Sequence, residues 1–267
     1  MNQFQKTKIL AVILILAFSC MLSACESLKK SEVKQDVNVL RVGVTPDSPP
    51  LIYKQGEEII GLEADLAMAL AKYLGKQAVF VDLRWGDQIP ALQEKKIDII
   101  MSGMSITKAR EYDISFAMPY FRTGQMALFG DSGILSLQKS YHTLLAQVPG
   151  LRIGVIRGTT GETFVKRYFR RARDIISYTN PENAMTAMKW KKIDVFIYDM
   201  PTILMLTAKH QADGFKPMLS LLTEEYFAWG IRKNDPDLLA AANKFLVEFE
   251  EKGDLDTIVK KWIPLPE

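Results

Sequence analysis

Two short polar segments of this chain carry residue types that could bind a small charged ligand. The first segment, residues 102–107, reads SGMSIT, follows an apolar run and is followed by Arg110. Gly103 would let the backbone approach a ligand closely, and Ser105 offers a hydroxyl group. Thr107 can cap a short helix from which Arg110 presents a planar, two-pronged donor that suits a carboxylate. An isolated arginine in such a turn is, however, more often an ordinary surface residue.

The second segment, residues 158–162, reads GTTGE and has the form of a helix start that follows a strand. Thr159 and Glu162 have the spacing of a capping box, which leaves backbone N–H groups directed outward at a helix N-terminus. Such a terminus can bind an anion. Because no Lys-Ser or Lys-Thr follows the glycine, the segment is not a nucleotide-binding P-loop. Many helix starts look like this, so the motif alone is weak.

Two further residues stand near the ends of apolar runs. Asp199 follows the run 195–198 and precedes Pro201. Its carboxylate could accept an ammonium group, although capping of the next helix is an equally open interpretation. Trp85 could form a wall of the same site or belong to the core. A carboxylate clamp, an anion-binding helix start and an ammonium acceptor together predict a site for a zwitterion.

These candidates follow phrases that the sequence repeats. Residues 40–44 read LRVGV and 151–155 read LRIGV, while 95–99 read KKIDI and 191–195 read KKIDV. Each phrase contains a short β-branched run typical of a buried parallel strand. The repeats predict two similar α/β lobes, and ligands bind beyond the carboxyl ends of such strands.

The remaining pattern predicts a two-lobed α/β architecture in which each lobe is a mostly parallel sheet with flanking helices. Strands are expected at 39–44, 78–83, 97–101, 151–156, 174–178 and 194–198, and helices at 61–74, 88–94, 236–251 and 254–262. Residues 115–130 mix Pro, Gly and aromatic side chains, and we expect them to cross into the second lobe. A second crossing is expected at 225–229. The closing helices would then return to the first lobe, which makes the two crossings a hinge.

Composition excludes several functional classes. A hydrophobic content of 48% is ample for a packed core. The formal net charge of +3 falls to about +1 when Lys6 and Lys8 are removed with the leader, so nucleic acid is not an expected partner. The chain contains only His142 and His210, both in polar stretches. We therefore expect neither a His-based catalytic triad nor a metal site, and no cofactor.

The amino terminus has the pattern of an export signal. Lys6 and Lys8 precede the apolar stretch 9–18, which is too short for a membrane span. Residues 22–25, LSAC, are similar to a bacterial lipobox, so we expect a signal peptide at 1–24 and a lipid on Cys25. Cys20 is the weaker candidate, and an ordinary signal peptide with an incidental cysteine is the alternative. Residues 25–36 would be a polar tether to a bacterial membrane.

From about residue 40 to 262, the chain resembles the amino-acid-binding solute-binding proteins (family 3) that serve ABC importers. The resemblance rests on the segments LRVGVTPDSPP, GLEADLAMALA, WGDQIPALQEKKIDIIMSGMSITKAR, SFAMPY, GTTGETF and IDVFIYD. It implies a periplasmic-binding-protein-like fold, with lobe 1 at 37–122 and 228–267 and lobe 2 at 123–227. It also implies a protein on the periplasmic or extracytoplasmic face that delivers an amino acid to a membrane permease. We expect it to be a monomer and not an enzyme.

The same resemblance assigns roles to the candidate residues. Arg110 would bind the α-carboxylate, helped by Ser105 and by Thr160 from lobe 2, while Asp199 would bind the α-ammonium and Trp85 the side chain. The expected ligand-binding set is completed by Ser102, Gly103 and Thr159.

Two departures and two alternatives accompany this assignment. Many family members carry an acidic residue and an aromatic lid where this chain has Thr45 and Ser48. This puts recognition of the ligand side chain in doubt, although Asp47 is near enough to compensate in part. The alternatives are an enzyme similar to cyclohexadienyl dehydratases, on which a cleft carboxylate donates a proton, and a ligand sensor on the same scaffold.

Overall fold

The computed structural model describes residues 38–130, 142, 144–145 and 148–263. The described residues from Asn38 onward belong to one compact unit. The predicted signal peptide, the lipidation site Cys25, its competitor Cys20 and the tether lie outside the described residues. No helix among the described residues is both long and apolar enough to cross a membrane.

The order of elements follows the predicted pattern. The strands are β1 (Val39–Val44), β2 (Asp47–Ser48), β3 (Ile52–Gln55), β4 (Glu58–Ile60), β5 (Gln77–Asp82), β6 (Ile99–Ile100), β7 (Ser115–Phe116), β8 (Phe121–Thr123), β9 (Gln125–Phe129), β10 (Arg152–Ile156), β11 (Asp174–Tyr178), β12 (Val195–Asp199), β13 (Lys216–Pro217), β14 (Glu225–Phe227) and β15 (Gly230–Ile231). The helices with defined bounds are α1 (Leu62–Tyr73), α2 (Gln88–Gln93), α3 (Lys108–Asp113), α4 (Thr160–Tyr168), α5 (Pro181–Lys189), α6 (Met200–Lys209), α7 (Pro236–Glu251) and α8 (Asp254–Trp262).

Two five-stranded sheets form the centres of two lobes. The sheet of lobe 1 has the order β5-β1-β6-β15-β7, and that of lobe 2 has the order β11-β10-β12-β9-β13. In each sheet one strand, β15 or β9, runs antiparallel to both neighbours, and the other four share one direction. The prediction of two mostly parallel sheets with flanking helices is confirmed.

The repeated phrases build the same ion pair in both lobes. Arg41 binds Asp98 through an Nη2–Oδ1 contact of 2.7 Å, and its backbone N–H donates to Oδ2 at 2.9 Å. Arg152 binds Asp194 in the same way, at 2.6 Å and 2.8 Å. Each pair joins β1 or β10 to the residue just before the neighbouring strand, β6 or β12, which explains why an arginine in one phrase accompanies an aspartate in the other.

The glycines of the two phrases are required by close packing. A Cβ atom on Gly43 would lie 2.3 Å from Cδ1 of Ile97, and one on Gly154 would lie 2.5 Å from Cδ1 of Ile193. Such distances are well below van der Waals contact, so a larger residue would push the strand away from the isoleucine. The two lobes therefore repeat both the polar and the apolar details of one design.

Two short strands connect the lobes. β8 leads from β7 of lobe 1 to β9 of lobe 2, and β14 leads back from β13 to β15. The two strands pair antiparallel, with Glu225 opposite Thr123 and Phe227 opposite Phe121. The predicted borders at 122/123 and 227/228 fall in or beside this pair and stay predictions.

A buried carboxylate fastens the connecting segments to lobe 1. Glu63, in the first turn of α1, is fully buried. It accepts hydrogen bonds from the backbone N–H of Gly103 (2.7 Å), the Tyr120 hydroxyl (2.5 Å) and Trp229 Nε1 (3.1 Å). Burial raises its pKa to about 7. Because Tyr120 precedes β8 and Trp229 follows β14, this one side chain holds both connections and the predicted ligand loop.

Two sequence predictions need correction. The strand expected at 97–101 is reduced to Ile99–Ile100, because the Asp98 backbone and side chain both bind Arg41 and the ladder begins after them. Residues 115–130 are more than a crossing, since they include β9, whose five residues are all buried in the sheet of lobe 2.

Candidate functional site

All eight residues predicted to bind the ligand line one cavity between the lobes. The residues around this cavity are Ser48, Leu51, Trp85, Ser102, Gly103, Ser105, Arg110, Thr159, Thr160, Tyr198 and Asp199. Its volume is about 10 Å³, which is room for roughly one water molecule. The structure thus brings the predicted residues together in a nearly closed cleft.

Arg110 is positioned by its helix cap and by backbone carbonyl groups. Thr107 Oγ1 accepts a hydrogen bond from the Arg110 backbone N–H at 3.2 Å, as the sequence predicted. Arg110 Nη1 donates to the Ser105 carbonyl at 2.7 Å, and Nη2 lies 3.5 Å from the Gly158 carbonyl of lobe 2. The guanidinium carbon lies 5.2 Å from the centre of the Trp85 ring, which is a cation–π distance.

Trp85 also spans the cleft. It begins a 3₁₀ turn, Trp85–Asp87, and its Nε1 donates to the Gly158 carbonyl at 3.0 Å. A Cβ atom on Gly158, whose φ is +76°, would lie 3.3 Å from the Trp85 ring. The indole is partly buried against the core of lobe 1, so the two roles open in the sequence, cleft wall and core packing, are combined.

The start of α4 carries only half of the predicted capping box. Thr159 Oγ1 accepts from the Glu162 backbone N–H at 3.3 Å, as expected. Glu162 Oε2 accepts from Gly158 N at 2.7 Å instead of from Thr159, and Oε1 binds Ser177 and Lys166. Glu162 therefore fastens Gly158 and Ser177 to α4. The first N–H groups of α4 have no acceptor inside the helix, as at any helix start.

Asp199 faces the cleft and does not cap a helix. It occupies the residue before α6, yet its side chain makes no capping hydrogen bond. It is 7% exposed, and its Oδ1 accepts from Gln125 Nε2 at 2.6 Å. Burial, followed by the negative charge of Glu225, raises the pKa of Asp199 to about 7. A desolvated carboxylate of this kind is stabilised by a cation.

Sequence reasoning missed Glu225. Its Oε2 accepts hydrogen bonds from Ser105 Oγ of lobe 1 at 2.6 Å and from Thr160 Oγ1 of lobe 2 at 2.7 Å, and its Oε1 accepts from Thr223 Oγ1 at 2.7 Å. The two hydroxyls expected to serve a ligand carboxylate therefore already donate to a carboxylate of the protein. The only sequence signal was the position of Glu225 in the second crossing.

Gln125 was missed as well. It follows the first crossing strand, and its Nε2 donates to Asp199 Oδ1 and, at 3.1 Å, to Thr160 Oγ1. A Cβ atom on Gly161 would lie 2.4 Å from Gln125 Oε1, so this glycine is needed for the amide to fit. Gln125 therefore positions the Asp199 carboxylate and the Thr160 hydroxyl relative to each other.

The loop after β1 contributes to the cleft through Ser48. Ser48 Oγ lies 3.0 Å from the Tyr198 hydroxyl of lobe 2 and 2.9 Å from Asp47 Oδ1. Burial, aided by the charge of Asp82, raises the pKa of Asp47 to about 6. Thr45, at the other position that departs from many family members, donates its hydroxyl to the Leu83 carbonyl at 2.9 Å, and compensation by Asp47 stays a prediction.

No candidate metal site lies among the described residues of the cleft. The described part of the chain holds no group of three or more His, Cys, Asp or Glu residues arranged to bind a metal ion. His210 binds Asp213 and lies outside the set of cavity residues.

The chain is similar to known proteins over most of its length. The family model described as bacterial extracellular solute-binding proteins, family 3, matches residues 40–265. The histidine-binding periplasmic protein of Escherichia coli (strain K12) is 28% identical over 273 residues, which cover 96% of each protein.

Two solved structures combine similar folds with higher identity. One is an ancestral amino acid-binding protein described as a precursor of cyclohexadienyl dehydratase, which is 32% identical with a TM-score of 0.76, over 85% of this chain and 96% of that one. The other is an ancestral arginine-binding protein bound to arginine, which is 31% identical with a TM-score of 0.77, over 84% and 98%.

Proposed function

Because this chain belongs to the bacterial extracellular solute-binding proteins of family 3, we propose that it captures a free amino acid between its lobes and delivers it to an ABC permease. One observation carries the proposal: Arg110 of lobe 1 and Asp199 of lobe 2 line the same desolvated cavity. A guanidinium and a carboxylate facing one cavity match the two charged groups of an α-amino acid.

The roles of the side chains follow from this match. Arg110 takes the α-carboxylate, for which one edge of its guanidinium suits a bidentate contact. Asp199 takes the α-ammonium, which offsets the burial that raises its pKa. Trp85 contacts the ligand side chain, and the Ser102–Gly103 backbone and the start of α4 at Thr159 supply further polar contacts.

The proposal includes motion of the lobes. The cavity is smaller than any amino acid, and its two charged anchors lie on different lobes. The lobes must separate to admit the ligand, and the β8–β14 pair is the connection about which they would turn. A ligand that binds both anchors shifts the population toward the closed form.

The proposal also covers location. The chain would be carried on the outer side of a bacterial membrane by a lipid on Cys25 and the tether 25–36. The histidine-binding relative is periplasmic by name. Delivery to a permease requires such a place, because the permease receives its substrate from outside the cytoplasm.

The test is a binding screen with a built-in control. Purified protein is mixed with each of the twenty amino acids, and hits in thermal shift are measured by calorimetry. A ligand at a hundredfold excess over its Kd should stabilise the fold by about 2.7 kcal/mol. The Arg110→Ala variant should lose the response to every hit. Failure of all twenty to shift the wild-type protein would contradict the proposal.

The enzyme alternative draws on one feature, a buried Asp199 whose pKa lies near neutrality and which could donate a proton. The same screen therefore includes prephenate-like acids, with mass spectrometry of the mixture after incubation. Turnover of such an acid would favour the enzyme, and unchanged acid with amino-acid binding favours the receptor.

A further inference from the structure

The cleft carries more negative than positive charge. Its carboxylates are those of Asp199, which lines the cavity, Glu225, which binds two cavity hydroxyls, and Asp47, which lies one hydrogen bond behind Ser48. Arg110 is the basic residue among the described residues that line the cavity. Asp82 adds little to this imbalance because Lys54 binds it at 2.6 Å.

Glu225 occupies a distinctive place in this arrangement. It is held by hydroxyls of both lobes and of its own connecting segment, through contacts of 2.6, 2.7 and 2.7 Å. Each hydroxyl has one proton, so Ser105 and Thr160 cannot also donate to a ligand anion. The cavity wall they form therefore favours a positive group.

An ordinary zwitterion leaves the imbalance in place. Its carboxylate and ammonium cancel in net charge, so closure over it would leave the three cleft carboxylates with Arg110 as their guanidinium partner, two carboxylates in excess. These carboxylates have hydrogen-bond donors, but a desolvated charge without a countercharge is still costly. A ligand with one more positive charge reduces that cost.

We propose that the cleft selects amino acids whose side chains are positively charged, and that Glu225 is a specificity-determining residue for this preference. The inference rests on the proposed function, because it concerns the same cleft. It concerns a residue outside the expected ligand-binding set.

The test compares arginine with citrulline, which has nearly the same shape but no side-chain charge. Calorimetry on the full mature protein gives the Kd of each. At an effective dielectric constant of about 20, charges roughly 10 Å apart interact strongly enough to change Kd by about tenfold. Wild-type protein should therefore bind arginine at least about tenfold more tightly than citrulline.

Glu225→Gln isolates the charge, since glutamine keeps an oxygen acceptor for the hydroxyls. The arginine-to-citrulline preference should fall by about tenfold in this variant. Glu224→Gln is the matched control: the neighbouring Glu224 binds Arg122 and Tyr226 outside the cleft, and its loss should leave the preference unchanged. If Glu225→Gln does not fold, Asp47→Asn should lower the preference instead.

The outcomes separate the two proposals. If citrulline or other neutral amino acids bind as tightly as arginine, the proposed charge selection is wrong, whereas the proposed amino-acid receptor is unaffected. An undiminished preference in a folded Glu225→Gln variant would overturn the role of Glu225. Binding of no amino acid at all would overturn the proposed function itself.

Discussion

Replacement of Asp199 by asparagine should stabilise the ligand-free protein while weakening ligand binding. The pKa of Asp199 rises from 3.8 in the unfolded chain to about 7 in the fold, so the folded protein binds this proton more tightly. Its contribution to the free energy of unfolding is fully present below pH 3.8 and is lost as the pH rises to about 7. Above about pH 7, this difference in pKa corresponds to a free energy of unfolding about 4 kcal/mol lower than at low pH.

Asparagine removes the charge but still buries a polar amide. We therefore expect the variant to gain about 1–3 kcal/mol over wild type at pH 8 and almost nothing at pH 4. For a domain of this size, 1 kcal/mol corresponds to about 2–4 °C in Tm. Its oxygen can still accept from Gln125 Nε2, which now lies 2.6 Å from Asp199 Oδ1, so the cleft should keep its shape.

The same change should weaken amino-acid binding. Loss of the carboxylate leaves the ligand ammonium buried without a charged partner, at a cost of about 2–5 kcal/mol, or about 30- to 5000-fold in Kd. Asp199→Ala should spare a ligand that lacks the ammonium group, such as the corresponding keto acid.

Thermal denaturation at pH 4 and pH 8 and calorimetry of binding provide the two measurements. Asp213→Asn is the control, because a hydrogen bond from His210 and the charge of Lys189 hold the pKa of that exposed acid below its usual value. Stability from Asp213 is present above its unfolded pKa and lost as the pH falls, so its removal should not stabilise the protein. The reasoning would be refuted if Asp199→Asn lowered Tm at pH 8 or left the Kd within threefold.

Three further predictions concern other residues. Arg110→Ala should weaken binding of any α-carboxylate ligand by about 2–5 kcal/mol with the fold intact by circular dichroism; an unchanged Kd would remove the central residue of the proposed site. Trp85→Ala should alter the ranking of amino acids in a calorimetric series, through aromatic contact of about 0.5–1.5 kcal/mol beyond area, whereas a uniform loss for all ligands would indicate a purely structural role. Cys25→Ser should abolish labelling by a radioactive fatty acid; labelling that persists, and is lost instead in Cys20→Ser, would place the leader boundary at the other cysteine.

The sequence was sufficient for the parts of the fold that repeat. The phrases containing Arg41 and Arg152 combine a β-branched run with an arginine whose partner aspartate stands in a second repeated phrase. A pattern that occurs twice is constrained by the same local packing each time. This is why strands β1, β10 and β12 could be placed within a residue or two.

The elements that were misjudged depend on partners distant in sequence. β9 contains no strict alternation because all five of its residues are buried; its two edges pair with β12 and β13 inside the sheet. It therefore resembled a crossing rich in Gly and aromatic residues. The length of the strand near Ile99 was overestimated. At its start the Arg41 backbone N–H donates to the Asp98 side chain and not to a backbone carbonyl of that strand.

The residues of the candidate site also fall into those that the sequence could predict and those that depend on distant partners. Arg110 and Asp199 could be proposed because each follows a strand, and the carboxyl ends of strands converge in this class of fold. Glu225 and Gln125 could not, since Glu225 begins the connecting strand β14 and Gln125 begins β9, the strand that the sequence pattern did not reveal. The direction of each side chain depends on an antiparallel register with a strand distant in sequence: Glu225 lies opposite Thr123, about a hundred positions away, and Gln125 lies opposite Asp199.

The threading of lobe 1 sets an order for folding. β15 lies between β6 and β7 in the sheet, yet it is translated only after the whole of lobe 2. The strands of lobe 2, from β9 to β13, form one continuous stretch of sequence, so that sheet can be completed while lobe 1 still has unpaired edges. In pulse-labelled hydrogen exchange during refolding, amides of β10 and β12 should gain protection before those of β6, and the reverse order would contradict this account. The lobe that the ribosome begins first would be the lobe that the chain finishes last.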